Sequence, residues 1–162
     1  MVGSVPTIRD ARPGEAQLLE DLQRRSSLVY EETRGQLLAH PDAISLPEQA
    51  ITDGTVRVAC APDRVLGFSV TVPSADGDGP DELDGLFVEP DLWRAGIGRA
   101  LIADVAARAV RRGVTVIEVT ANPRALDFYR AVGFRALQNV PTRFGPGLRM
   151  RLLVDEADPA SR

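Results

Sequence analysis

The sequence predicts an α/β or α+β fold with a mixed sheet, in one domain that spans residues 1–154. With 162 residues, 44% of them hydrophobic and 26% charged, the chain has the composition of a globular protein. Its hydrophobic patterns change in the order strand, helices, three strands, helix, strand, helix, two strands. No internal repeat and no shift in composition marks a domain boundary. Residues 155–162 are predicted to form a polar tail.

The first half of the chain is predicted to place helices before a β-hairpin. Pro13 and Gly14 precede an amphipathic pattern, and Pro41 ends the second helical stretch because proline cannot continue a helix. Two β-branched, apolar runs on either side of Pro62 predict the hairpin. The predicted elements are a strand over 6–10, helices over 13–26 and 30–39, a helical turn from 47, and strands over 55–61 and 65–72.

The second half alternates strands with helices. Pro90 ends its first strand, since proline cannot donate a hydrogen bond to a sheet. Ile97, Leu101 and Val105 form one apolar stripe on the helix that follows, and Gly113 ends that helix. The next strand is so apolar that a central place in the sheet is expected. The predicted elements are strands over 82–88 and 114–120, helices over 96–112 and from the Asn122 cap to Gly133, and strands over 134–137 and 148–154.

Composition and charge exclude several classes of protein. A net charge of −4 and a pI near 5.0 argue against nucleic acid as a partner, because phosphate binding needs a clustered basic surface. No apolar run is long enough for a membrane span, and the N-terminus does not resemble an export signal. The single cysteine, Cys60, permits no intrachain disulfide, so we expect a reducing, cytoplasmic environment. The chain has no lysine for Schiff-base chemistry, and with His40 as its sole histidine it predicts no metal site.

The most informative segment covers residues 86–101, where a strand leads through a glycine-containing loop into a helix. The first N–H groups of a helix have no partner within it and lie at the positive end of its dipole, so they suit a diphosphate. Gly96 and Gly98 let phosphate oxygens approach the backbone. Arg94 and Arg99 can add charged contacts. The segment therefore predicts a site for a phosphate-bearing cofactor.

A dinucleotide-binding turn is the competing interpretation of this segment. Glu118 lies 20 residues after Gly98, which is the spacing expected of an acid that binds a ribose. Leu101, however, occupies the position of the third glycine, and the turn comes late, after a hairpin. These departures favour a different cofactor.

The loop Trp93–Gly98 resembles motif A of the Gcn5-related N-acetyltransferases (GNAT), a Gln/Arg-x-x-Gly-x-Gly/Ala loop that holds CoA. Trp93 stands where that family has Gln or Arg. A second block, residues 122–134, resembles motif B through its asparagine, its Phe-Tyr pair and its Gly-Phe end. The resemblance implies a GNAT fold, with a mixed, mostly antiparallel sheet of roughly six to seven strands flanked by about four helices. It also implies transfer of an acetyl group from acetyl-CoA to an amine, and homodimers are common in the family.

The resemblance implies roles for individual residues. Tyr129 matches the family's proton donor to the leaving thiolate, with core packing as the alternative. Glu82 matches the general base of one branch of the family, with a solvated carboxylate as the alternative; Asp84 is a second candidate and a water relay a third. The residues expected to contact the cofactor are Leu86, Phe87, Val88, Trp93, Arg94, Ala95, Gly96, Ile97, Gly98, Arg99, Ala100, Asn122, Ala125, Phe128 and Tyr129.

The sequence indicates less about the acceptor than about the cofactor. We expect acetyl-CoA to lie between strands 82–88 and 114–120, where the acceptor amine attacks directly. The acidic chain favours a cationic small molecule as acceptor. A catalytically silent acyl-CoA-binding sensor, which keeps the phosphate turn without turnover, is the alternative function. The candidates for the acceptor side, which are otherwise ordinary surface or packing residues, are Tyr30, Arg34, His40 and Arg143.

Overall fold

A computed structural model describes residues 6–154, so the predicted tail at 155–162 lies outside the described residues. The strands are β1 (Thr7–Asp10), β2 (Val56–Ala61), β3 (Arg64–Val72), β4 (Asp81–Val88), β5 (Val116–Ala121), β6 (Arg135–Thr142) and β7 (Gly145–Leu153). The α-helices are α1 (Ala16–Ser27), α2 (Glu31–Ala39), α3 (Glu48–Thr52), α4 (Ile97–Arg111) and α5 (Leu126–Ala131). Short 3₁₀ turns lie at Pro41–Ala43, Pro90–Leu92 and Pro123–Ala125.

The strands form one seven-stranded sheet in the order β1-β2-β3-β4-β5-β7-β6. β4 and β5 run parallel, and α4 supplies the helical crossover that parallel neighbours need. The pairs β1–β2, β2–β3, β5–β7 and β6–β7 are antiparallel. The mixed, mostly antiparallel sheet predicted from the sequence is therefore confirmed. Among the described helices, none has the length and apolar character needed to cross a membrane.

The chain divides into two compact units. The described part of the first unit comprises residues 6–70 and 85–101, and that of the second comprises residues 71–84 and 102–154. Both β4 and α4 contribute residues to each unit. The single domain over residues 1–154 stays a prediction.

In the first unit, α1 packs its apolar side onto the β2–β3 hairpin. Leu19 and Leu22 are completely buried in one cluster with Phe68. Burial of a side chain of this size stabilises the fold by about 1.5–3 kcal/mol relative to leaving it exposed. The helix begins at Ala16 instead of residue 13, because Gly14 has a φ of +90° that lies outside the helical range.

In the second unit, β5 and β7 bury one face and expose charge on the other. Ile117, Val119 and Met150 are buried on the first face. Glu118 and Arg151 lie directly opposite each other on the second face. Such alternation is typical of a sheet with one covered face. The central place predicted for β5 is confirmed by its position between β4 and β7.

The β6–β7 hairpin is longer than the sequence predicts. Pro141, Pro146 and Gly147 indicate a loop, whereas the structure extends both strands to a tight turn at Arg143 and Phe144. Pro141 lies opposite Pro146 in the ladder. β6 is the last strand in the sheet order, and a proline is tolerated on an edge strand because no further neighbour needs its missing N–H.

Gly67 supplies a test of the packing at the end of β4. A Cβ added to Gly67 would lie 2.7 Å from the carbonyl oxygen of Phe87 and 3.3 Å from Cα of Val88. Because both contacts are backbone atoms, they cannot rotate away, and we expect Gly67→Ala to lower the free energy of unfolding by about 1–3 kcal/mol. Urea denaturation followed by circular dichroism measures this change.

Gly35→Ala is the matched control for Gly67→Ala. No atom lies within 4 Å of the Cβ that it adds, and alanine favours a helix more than glycine does. We expect this variant to be as stable as the wild type or slightly more stable. Equal effects of the two substitutions would contradict the close approach of Gly67 to the end of β4.

Candidate active site

The turn between β4 and α4 has a strained backbone. The chain leaves β4 at Val88, passes through the 3₁₀ turn and enters α4 at Ile97. Arg94 has a φ of +73° and is the only non-glycine residue with a positive φ in the described chain. Gly96 follows with a φ of +89°. A non-glycine residue in this region costs of order 1–3 kcal/mol, and such residues cluster at ligand sites. The strain coincides with the turn that the sequence predicts for phosphate binding.

Successive backbone N–H groups at the start of α4 have no hydrogen-bond partner in the part of the chain that the structure describes. They belong to residues 96–99. Ala95 donates back to Leu92 at 3.1 Å, and Ala100 is the first residue to donate in the helical sense, to Gly96 at 3.0 Å. α4 is 15 residues long, so the positive end of its dipole adds to the potential at these amides. The arrangement fits a diphosphate group.

Some side chains of this turn are buried and anchor it, and others are exposed to solvent. Ile97 is buried with Leu101 and Ala59, which ties the start of α4 to the sheet. Arg94 and Arg99 are exposed, so their guanidinium groups are accessible to an anion. Leu86 and Val88 pack against the cluster that holds Ile97, while Ala95 is exposed and Gly98 and Ala100 are half-buried.

The end of β4 is tied to α1 and β3. The ring of Phe87 lies 5.3 Å from that of Phe68. Glu89 is buried, and its carboxylate accepts hydrogen bonds of 3.1 and 2.6 Å from Arg25. The hydrogen bond to Glu89 raises the pKa of Arg25, which burial alone would lower. The N–H of Glu89 donates to the carbonyl of Leu66 at 2.9 Å. The end of β4 is therefore held by a backbone hydrogen bond to β3 and by an ion pair with α1.

Trp93 makes neutral contacts in place of the charged or amide side chain of the family pattern. Its indole N–H donates to the carbonyl oxygen of Val88 at 3.0 Å. Its ring stacks on that of Tyr30, with centroids 5.7 Å apart and an interplanar angle of 22°. The indole N–H is thus bonded to the protein's own backbone. The predicted contact between Trp93 and the cofactor stays a prediction.

In the second unit, Glu82 belongs to a group of paired charges. This charge cluster consists of Glu82, Glu118, Arg149 and Arg151. Arg149 donates to both carboxylate oxygens of Glu82, at 2.7 and 3.0 Å, and to Glu118 at 2.7 Å. Arg151 donates to Glu118 at 3.1 and 2.7 Å.

Hydrogen bonds within the charge cluster shift the pKa values of Glu118 and Arg149. Hydrogen bonds from Arg151 and then from Arg149 hold the pKa of Glu118 below its ordinary value, against the effect of burial. The hydrogen bond to Glu82 is the main cause that raises the pKa of Arg149. Glu82 is thus a paired carboxylate, whereas Asp84, the second candidate base, is exposed on the same strand. The role of either carboxylate as the base stays a prediction.

Tyr129 lies in an aromatic group of the second unit. It is buried, and its ring meets those of Phe128 and Phe134 edge-on, each at 5.2 Å. Asn122 accepts a hydrogen bond from the N–H of Arg124 at 2.8 Å, so it caps the 3₁₀ turn, whereas α5 begins only at Leu126. Ala125 is half-buried at the end of the same turn.

The residues suggested for the acceptor side have different local roles in the structure. Arg34 donates to the carbonyls of Leu28 and Val29, so it closes the turn between α1 and α2. His40 caps the end of α2. Arg143 lies in the turn between β6 and β7, with its guanidinium 5.2 Å from the ring of Phe144. Tyr30 contacts the predicted cofactor turn through its stack on Trp93.

Sequence reasoning missed two charged contacts at the site. Arg25 and Glu89 are 64 positions apart, and Glu82 and Arg149 are 67 apart. No local pattern links residues at such separations. The period-two alternation of β7 places Arg149 and Arg151 on one face, and that alternation was the one usable signal.

A strand that leads through a strained glycine turn into a helix with open amides is typical of enzymes that bind a phosphate-bearing cofactor. Residues 17–134 match the family described as Acetyltransferase (GNAT) family. The match covers more than half of the 162 residues, and the chain therefore belongs to this family. Membership confirms the family predicted from motifs A and B. It also confirms the predicted class of enzyme, an acetyltransferase that acts on an amine.

Individual relatives agree with the family. The chain is 29% identical over 157 residues to an aminoglycoside N(6′)-acetyltransferase type 1 from Stenotrophomonas maltophilia, covering 86% of this chain and 93% of that protein. A solved GCN5-related N-acetyltransferase from Rhodopseudomonas palustris has a TM-score of 0.75 at 22% identity, covering 94% of this chain and 98% of that one. An aminoglycoside 6′-N-acetyltransferase complexed with coenzyme A has a TM-score of 0.66 at 16% identity, covering 94% and 99%. At these identities the two structures establish a shared fold.

Gly96 allows a test of the open amides. A side chain at its φ of +89° is strained although no atom lies within 4 Å of the added Cβ. We expect Gly96→Ala to lower the free energy of unfolding by about 1 kcal/mol and to weaken CoA binding about tenfold, because the strained backbone turns the amides away from the diphosphate. Thermal denaturation and calorimetric titration with CoA measure the two effects.

Gly113→Ala is the matched control at the other end of α4. Gly113 has a φ of +79° and also has no atom within 4 Å of an added Cβ. We expect the same loss of stability with unchanged affinity for CoA. If both variants lose affinity alike, the amides at 96–99 are not the diphosphate site.

Proposed function

We propose that this chain binds acetyl-CoA at the turn before α4 and transfers its acetyl group to an amine of a cationic small molecule. The observation that carries the proposal is the run of N–H groups at residues 96–99 with no partner among the described residues. The strained φ of Arg94 and the exposed guanidinium groups on either side of the loop support the same site. The solved relative with bound coenzyme A supports the choice of cofactor. The proposed catalytic domain spans residues 1–154.

The proposed cofactor supplies an acetyl group activated as a thioester. The backbone of Leu86, Phe87 and Val88 is proposed to hold the acyl end and to direct an N–H at the oxygen that becomes negative during transfer. The fixed end of β4 supports this role, because preorganised donors need no rearrangement during the reaction. On the second unit, the side-chain oxygen of Asn122 is engaged in the cap, so its NH₂ group is the part proposed to contact the cofactor, beside Ala125 and Phe128.

Two proton transfers are assigned to side chains of the second unit. Tyr129 is proposed to hold, at its hydroxyl oxygen, the proton that the departing thiolate takes up; a phenol and a thiol have similar ordinary pKa values. The surplus proton of the attacking amine goes to a base. Glu82 and Asp84 are both proposed for this step, and the bonds from Arg149 to Glu82 favour Asp84, acting directly or through water.

We propose an aminoglycoside-like polyamine as the acceptor class. The chain has a net charge of −4, which favours the approach of a polycation. The relative from Stenotrophomonas maltophilia that is 29% identical carries the name aminoglycoside N(6′)-acetyltransferase. Incubation of the protein with acetyl-CoA and a pooled library of aminoglycosides, polyamines and amino-acid amines, followed by mass spectrometry, tests the proposal. We expect one acetyl group to be added to an aminoglycoside; a library left unchanged would refute the activity.

Tyr129→Phe tests the proton donor. The substitution removes only the hydroxyl and keeps the edge-on contacts with Phe128 and Phe134. We expect kcat to fall by about 100-fold, because the thiolate loses its donor, while KM for acetyl-CoA stays within about threefold. Steady-state kinetics at several pH values measure the change.

Phe134→Leu is the control for Tyr129→Phe. It disturbs the same aromatic group but keeps the phenol. We expect a lower melting temperature and a kcat much closer to that of the wild type. A Tyr129→Phe variant with wild-type kcat would assign Tyr129 to core packing instead.

A further inference from the structure

Trp93 is held in place although its side chain is exposed to solvent. Its exposed fraction is 38%. The indole N–H is nevertheless bonded to the carbonyl oxygen of Val88 at 3.0 Å, and the ring stacks on Tyr30 at 5.7 Å. A tryptophan whose polar atom and ring are both engaged has little rotational freedom.

The peptide group between Val88 and Glu89 is fixed at both of its edges. Its carbonyl oxygen accepts from the indole of Trp93 at 3.0 Å, and its N–H donates to the carbonyl of Leu66 at 2.9 Å. Because a peptide group is planar, these two bonds together set its orientation. Fixing this plane restricts the ψ angle of Val88, and so the course of the backbone at the end of β4.

Tyr30 projects from a turn that is itself rigid. Arg34 donates from Nε to the carbonyl of Leu28 at 2.8 Å and from Nη2 to that of Val29 at 3.5 Å. Carbonyl groups at the end of a helix lack intrahelical donors, and a guanidinium there also complements the helix dipole. Tyr30 is the N-cap residue of α2, directly after these carbonyls. Its ring therefore supports Trp93 from a fixed position.

The end of α1 makes a second contact with the same segment. Arg25 lies in the last turn of α1 and binds Glu89 with hydrogen bonds of 3.1 and 2.6 Å. Glu89 directly follows β4, and Trp93 directly follows the 3₁₀ turn. The region around the end of α1 thus holds residues 89–93 at both ends, through a charge pair and through an aromatic stack.

We propose that Trp93 and Tyr30 are positioning residues for acyl transfer. The stack keeps the indole N–H on the Val88 carbonyl, and that bond orients the backbone at the end of β4. The inference rests on the proposed function, in which this backbone holds the acyl end of acetyl-CoA. Neither residue acts on the reacting atoms, so both affect the rate of transfer more than the affinity for the cofactor.

Three variants separate the contacts. Trp93→Phe keeps a ring for the stack and removes the N–H donor, Tyr30→Ala removes the stack, and Tyr30→Phe keeps a ring at position 30. We expect Trp93→Phe and Tyr30→Ala to lower kcat about tenfold, because a small misplacement of the acyl group slows transfer. KM for acetyl-CoA stays within about twofold in both, and Tyr30→Phe retains wild-type kcat. Assays run well below each melting temperature, with an acceptor found in the library screen.

The outcomes distinguish this inference from the proposed function. If the wild type acetylates no amine, the proposed function fails, and the positioning role fails with it. If the wild type is active and Trp93→Phe has the same kcat, only the positioning role fails. A raised KM with unchanged kcat also overturns the positioning role, since it indicates that Trp93 contacts the cofactor directly.

Fluorescence tests the stack independently of turnover. Trp93 is the only tryptophan in the chain, so the protein's indole emission reports on this site alone. We expect acrylamide to quench Tyr30→Ala about twice as strongly as the wild type, because the ring loses its cover, while Tyr30→Phe matches the wild type. Equal quenching in all three proteins would overturn the stack and, with it, the positioning role.

Discussion

The proposed cofactor site depends on the backbone N–H groups of residues 96–99, which have no partner among the described residues. A helix start is usually satisfied by a side chain at its N-cap, which folds back onto these amides. Gly96 has no side chain to do so, and Arg94 carries a positive φ that directs the chain into the helix. The burial of Ile97 and Leu101 fixes the helix from its other side. In the proposed function, a bound diphosphate would take the place that a capping side chain otherwise fills.

Charge pairs fix both regions of β4 that matter for the proposed chemistry. In the first unit, Glu89 is bound by Arg25 immediately after the strand; in the second, Glu82 is bound by Arg149 near its start. Removing one partner of such a pair would leave an uncompensated charge, which is costly where the group is shielded from water. Each ion pair therefore holds the adjoining part of β4 in place. Because Glu82 is already paired with Arg149 while Asp84 is exposed, the proposed function places Asp84 before Glu82 as the base.

Local patterns account for what the sequence predicts well. The apolar stripe of α4, the Asn122 cap and the proline that ends β4 each depend on residues within a few positions of one another, and all appear in the structure. The predicted hairpin of β6 and β7 was too short because Pro141 resembles a loop residue unless β6 is known to lie at the edge of the sheet. The pairs Arg25–Glu89 and Tyr30–Trp93 depend on the fold itself, so no local pattern encodes them.

The departure from the family pattern at Trp93 is consistent with a diphosphate site made mainly of backbone. Main-chain amides do not depend on side-chain identity, so a side chain at position 93 can be replaced while the amides at 96–99 stay in place. Arg94 and Arg99 remain exposed and keep positive charge beside the loop. Position 93 carries an aromatic ring whose N–H donates to the Val88 carbonyl. Compared with the family pattern, the loop lacks a charged or amide side chain at position 93, and the end of β4 gains a hydrogen bond from the Trp93 indole.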